Sequence, residues 1–115
     1  MSIAADVPST NPNLMGSLYL CEAAVTRKDP SNPGDDRIFP PMSQAITLEQ
    51  CLRSVTIEGA WQARKEDVLG TIEVGKLADL VVLERNLFDV EPDEIADTKV
   101  VATMMDGQFT HRDGL

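Results

Sequence analysis

Residues 70–84 read GTIEVGKLADLVVLE. Ile72 and Val74 flank Glu73 in the alternation of a short half-buried strand. Gly75 follows as a turn residue free to take positive φ. Leu80, Val81, Val82 and Leu83 then run without interruption, too short for a helix of their own. They fit a strand covered on both faces. Asp79 opens that strand, where its carboxylate can accept N–H groups from the preceding turn. On pattern alone this is a buried sandwich strand with a tight entry turn.

Downstream, Asn86–Asp97 is polar and acidic, and Pro92 can open one helical turn through Ile95. Lys99–Met105 alternates as a strand, Asp106-Gly107 suits a type I′ hairpin turn, and Gln108–His111 is the return strand. Upstream, Thr47-Leu48-Glu49-Gln50 is a capping box, in which the Thr hydroxyl and the Gln side chain satisfy free N–H groups. Leu48, Cys51, Leu52 and Val55 form the buried stripe of the helix it starts. Thr56 can cap a second segment through Ala60, Trp61 and Ala63. Residues 28–45 hold Pro30, Pro33, Gly34, Pro40 and Pro41 and read as a long loop, a class that is functional or disordered in compact domains. Before it, Asn11-Pro12 starts a helix whose apolar stripe is Leu14, Leu18, Cys21 and Val25, ending near Thr26-Arg27. Ser2–Ala5 is a short strand that presents Asp6 to a Val-Pro loop.

The chain has 115 residues, enough for one domain or part of one. Aromatic residues are only 4%, so the core should be built from Val, Leu, Ile, Ala and Met. Nineteen acids against ten bases give a net charge of −9, which disfavours nucleic-acid or anionic-membrane partners. No apolar run reaches membrane-spanning length, and the first residues lack the basic-then-apolar order of a signal peptide. Cys21 and Cys51 are far apart and outside any CxxC arrangement, which reads as two buried thiols in a cytoplasmic protein.

Chemistry is sparse. One histidine, His111, cannot supply a hydrolytic metal site or a Ser-His-Asp arrangement. Gly70, Gly75 and Gly107 have no phosphate-binding spacing. The acid pairs Asp35-Asp36 and Glu66-Asp67 read as solvated. Asp6 alone has a sharper reading, since barrel enzymes place catalytic groups at the exits of short buried strands.

Taken together, these pieces resemble the C-terminal end of the amidohydrolase superfamily, in the branch of TIM-barrel metal-dependent hydrolases acting on N-acyl and similar C–N bonds. Asp6-Val7-Pro8 resembles the Asp-x-Pro after the last barrel strand, and Ala24-Val25-Thr26-Arg27 the branch's Ala-Val-Thr-Arg. Thr47-Leu48-Glu49 through Ala60 resembles its Thr-Leu-Glu helices, and Gly70–Leu83 its Gly-Ser-Ile-Glu-x-Gly-Lys-x-Ala-Asp-hydrophobic stretch. The family's Gly-Ser before the aspartate is Ala4-Ala5 here.

The resemblance implies an α+β chain: helices from the end of a TIM barrel, followed by strands of a partial β-sandwich, the composite domain of these hydrolases. Residues 1–66 would be the last barrel strand and the C-terminal barrel helices, and residues 67–115 the partial sandwich. Asp6 would be the catalytic proton acceptor or a metal ligand, since an anion beside a metal-bound water can take its proton. The full-length family uses zinc or another divalent metal. The His-x-His, the bridging lysine and the later histidines lie in earlier barrel strands, so the isolated chain should hold no cofactor and catalyse nothing. The expected partner is a second copy of the chain or the missing barrel portion. The rival reading is a stand-alone, non-catalytic module that homo-oligomerises through open strand edges.

Overall fold

Thr47 opens a helix as its sequence requires. Its hydroxyl accepts the Gln50 N–H at 3.1 Å, and Gln50 Oε1 accepts the Thr47 N–H at 2.9 Å. These contacts belong to a computed structural model that describes residue 1 and residues 16–115. The expected strand at 2–5, Asp6, the Asn11-Pro12 helix start and Leu14 lie outside the described residues.

The described residues form an α+β arrangement, helices first and sheet last. Helix α1 is Ser17–Thr26 and ends where expected, with Arg27 in the left-handed region at φ 59° and its N–H on the Ala23 carbonyl at 2.9 Å. Helix α2 is Leu48–Ser54 and α3 is Ile57–Gln62. Strands β1 (Leu80–Leu83), β2 (Val100–Met105) and β3 (Gln108–Arg112) form an antiparallel sheet in that order. Leu80 faces Met104 and Val81 faces Thr103, while Met105 faces Gln108 beside the hairpin turn. Asp106 and Gly107 both have positive φ, 47° and 78°, as a type I′ turn needs. Pro92 opens a single 3₁₀ turn, Pro92–Glu94.

Several expectations need correction. The 72–74 alternation is not a half-buried strand: the segment is irregular backbone leading into a turn, with Ile72 87% exposed. Its hydrogen bonds close turns instead, Lys76 N–H on Glu73 O and Leu77 N–H on Val68 O. Strand β1 exists, but it is not covered on both faces by the described residues, since Val81 is 62% exposed. Thr56 does not cap α3. Its hydroxyl turns back to the Leu52 carbonyl at 2.6 Å and finishes α2. Finally, Cys21 and Cys51 are fully buried as expected but are not thiols, because they form a disulfide.

That bridge is the centre of the interior. The buried apolar cluster is Cys21, Cys51, Leu87 and Ile95, with Leu18, Ile46, Leu48, Leu52, Leu83 and Val90 packed around it. A chain poor in large aromatics fills its middle with sulfur and branched aliphatics. Closing a loop with a separation of 30 residues removes unfolded-state entropy worth about 3–4 kcal/mol.

The 28–45 segment has one short element, the 3₁₀ turn Met42–Gln44. It is fastened to the end of α1 through Arg27. The Phe39 N–H donates to the Arg27 carbonyl at 2.7 Å, and Arg27 Nε returns a bond to the Phe39 carbonyl at 3.1 Å.

Candidate functional site

The Gly70–Leu83 stretch is built as a clasp. Gly70 has φ +94° and lies so close to α3 that a Cβ there would meet Ile57 Cα at 2.8 Å and Ala60 Cβ at 2.9 Å. Gly75, also at φ +94°, makes the turn in open space. Lys76 Nζ lies 3.0 Å from Glu73 Oε2 and donates to Thr71 Oγ1 at 2.6 Å, while Thr71 also bonds Glu73. The Thr71 and Lys76 hydrogen bonds hold the Glu73 carboxyl below its ordinary value. Asp79 does not serve the preceding turn. Its Oδ1 accepts the amide of Asp106 at 2.7 Å, and the Gly107 N–H donates to the Ala78 carbonyl at 3.1 Å. The motif therefore ties α3 to the β2–β3 hairpin through Gly70 and Asp79, while Thr71, Glu73 and Lys76 bond one another across the turn.

A second polar group lies between α1 and the Pro92–Glu94 turn. Glu22 is buried on α1, and its Oε2 accepts the Ala96 N–H at 2.7 Å. Burial pushes its carboxyl up, against the opposing pull of that N–H. Lys28 Nζ spans Asp36 and Asp93, at 3.1 Å from each, and both bonds raise its pKa. Asp29 accepts from Ser31 and from the Tyr19 hydroxyl, and the Ser31 bonds foremost lower its pKa. Asp35 is paired with Arg37, which holds its carboxyl down to about 2. The Asp35-Asp36 pair is thus divided between two cations and has no acid–base arrangement.

The apolar periodicity of α1 pointed to Leu18, Cys21 and Val25 and missed Glu22. Its partner is a backbone amide 74 residues away, which no local pattern reveals. A groove of about 600 Å³ opens beside α1, lined by Tyr19, Leu20, Ala23, Arg27, Phe39 and Pro40. Its walls also include Lys28 and Asp29, which are engaged with Asp36 and Asp93 and with Tyr19 and Ser31.

His111 lies on exposed β3, opposite Thr103. Among the described residues no group of three or more His, Cys, Asp and Glu side chains could hold a metal ion. Asp6, the single catalytic and metal-binding candidate from sequence, lies outside the described residues, so the structure brings nothing to it.

Comparison with known proteins supplies what local geometry does not. The chain is 36% identical over 64 residues to an N-substituted formamide deformylase of Arthrobacter pascens, a stretch covering 56% of this chain and 12% of that enzyme. It is 32% identical over 64 residues to an imidazolonepropionase of Bacteroides fragilis, covering 56% of this chain and 15% of that enzyme. A solved structure of an uncharacterised protein superposes with a TM-score of 0.53 at 30% identity, over 63% of this chain and 18% of that one. The chain thus spans a small part of the length of the proteins it matches. The model of the Amidohydrolase family matches residues 2–111, nearly the entire sequence, and the chain belongs to that family.

Proposed function

We propose that the chain is the C-terminal part of a metal-dependent amidohydrolase, a hydrolase of C–N bonds other than peptide bonds, and that it is not catalytic by itself. The observation that carries this reading is the family match over residues 2–111 combined with the small share of each relative that the chain represents. We assign residues 1–66 to the end of a TIM barrel and residues 67–115 to a partial β-sandwich. In that assignment Asp6 is the only residue of the centre contributed from here, as proton acceptor or as ligand of zinc or another divalent metal. The described side chains do not fit a metal on their own, and no step of the hydrolysis is derived from them. They position: the Gly70–Asp79 clasp and the bridged helices fix the frame that follows Asp6.

The partner in this reading is the missing barrel portion. The test is to join the chain to an amidohydrolase barrel lacking its own C-terminal part and to measure hydrolysis of N-acyl and N-formyl amides. Activity that needs both parts, and that falls at least a hundredfold in Asp6→Asn with the assembly intact, supports the proposal. Turnover by the 115-residue chain alone, or an unaffected Asp6→Asn assembly, overturns it.

A second reading is favoured by the sheet itself. Strands β1 and β3 are its two edges, and Val82 and Phe109 are 41% and 47% exposed. Open edges and apolar faces invite a second copy, and a homo-oligomer would cover them without any barrel. Light scattering on the purified chain separates the two readings.

No helix among the described residues is long and apolar enough to cross a membrane. Buried thiols are one ground for a cytoplasmic location, and the bridge removes that ground, because reducing compartments keep such pairs open.

A further inference from the structure

The disulfide lies in the middle of the core. Both cysteines are 0% exposed, and together they are half of the four-residue buried cluster. The bridge joins α1 to α2 with Cα atoms 5.6 Å apart. Everything between those helices, including the 28–45 segment, hangs on the loop that it closes. Beside the bridge, α1 and this segment are tied by exposed or part-buried hydrogen bonds: Tyr19 to Asp29, Lys28 to Asp36 and Asp93, Arg27 to the Pro40 carbonyl, and the Ala96 N–H to Glu22. The Ile46 N–H donates to the Ala24 carbonyl at 3.2 Å, and Arg27 and Phe39 exchange the bonds described above. Helix α2, with seven residues, is too short to persist without tertiary support.

We propose that Cys21–Cys51 is a redox-sensitive staple: its reduction by a dithiol frees α1, α2 and the 27–46 segment from the core. In this step a thiolate of the dithiol attacks one cysteine sulfur, and the sulfur–sulfur bond of the bridge breaks into a mixed disulfide and a free thiolate. The second thiolate of the reagent then displaces the remaining cysteine. Cys21 and Cys51 gain two electrons and two protons as thiols, and the dithiol leaves as its own cyclic disulfide. Burial sets the rate. Neither sulfur can be reached while the helices are packed, so exchange waits for them to part, and low concentrations of denaturant accelerate it. The inference rests on the bridge and its surroundings, and holds for either reading of the function.

The test begins with the chain unfolded and alkylated without prior reduction. A bridged chain takes up no label, and a chain with two labels overturns the proposal. The folded chain is then digested with trypsin with and without dithiothreitol. Reduction should raise cleavage after Arg27, Lys28 and Arg37 about tenfold or more. It should also lower the melting temperature by about 15 °C. The double variant Cys21→Ala/Cys51→Ala should match the reduced chain and ignore dithiothreitol. If that variant does not fold, the comparison of oxidised and reduced wild-type chain still decides. Equal cleavage and equal melting temperature in the two states overturn the proposal.

Discussion

Asp79 and Asp106 are 27 residues apart in the chain, yet the Asp79 carboxylate accepts the Asp106 amide at 2.7 Å. The contact fastens the tip of the β2–β3 hairpin to the entry of β1, the strand on the other side of β2. It also explains why an acid stands where an apolar strand begins. Asp79→Ala removes the acceptor and leaves the amide to solvent. The expected loss is about 1 kcal/mol, read as a lower urea midpoint with an unchanged slope. Asp79→Asn keeps an acceptor oxygen and should recover about half of it.

Two glycines with the same backbone angle should respond differently to a methyl group. Gly70 and Gly75 both have φ +94°, but Gly70 lies against Ile57 and Ala60, whereas nothing lies within 4 Å of a Cβ at Gly75. Gly75→Ala should cost only the backbone strain, about 1 kcal/mol. Gly70→Ala adds a clash with helix backbone and should cost about 3 kcal/mol or more. Equal losses at both sites in chemical denaturation would show that α3 can withdraw from Gly70.

The capping box of α2 gives a third measurement. Thr47→Ala removes the hydroxyl that accepts the Gln50 N–H and should destabilise the chain by about 1 kcal/mol, while Thr47→Ser should be close to neutral. Thermal melts of the three proteins at one pH are sufficient.

Glu22 makes a prediction in pH. Burial raises its folded-state pKa above the ordinary glutamate value of 4.5. The folded chain therefore holds this proton more tightly than the unfolded chain does. The resulting stabilisation is complete below the unfolded value and is lost as pH rises through the raised folded value. Glu22→Gln keeps an oxygen for the Ala96 N–H and carries no charge to desolvate. It should melt at a higher temperature than the wild type at pH 7, and the difference should shrink toward zero near pH 4. A gain that persists unchanged at pH 4 would mean that burial of the charge is not its source.

What could be read from sequence was what is decided locally. The Thr47–Gln50 box, the Asp106-Gly107 turn, the Pro92 turn and the Arg27 helix end all depend on residues within a few positions of one another, and each stands in the structure. Most of the misses depend on partners further along the chain, and one on a choice between two local ones. Ile72 and Val74 alternate correctly, but alternation forms a strand only where another strand offers hydrogen bonds, and this backbone bonds to Val68 and within its own turn. The cysteines carry no spacing signature, because the loop fold brings them together. Thr56 had two uses for its hydroxyl, and the carbonyl of the preceding turn lay nearer than the amides ahead. Of the candidate centre the sequence offers one residue, Asp6, from its place at a strand exit and from family likeness, and it lies outside the described residues.

Leu87 and Ile95 come from beyond residue 66, yet they close over a sulfur pair contributed from before it. Severing the gene at the proposed 66/67 boundary would therefore give two pieces without an interior, each exposing what the other covers. Joining this chain to a foreign barrel means moving it whole, and its thermal transition should be single rather than stepwise.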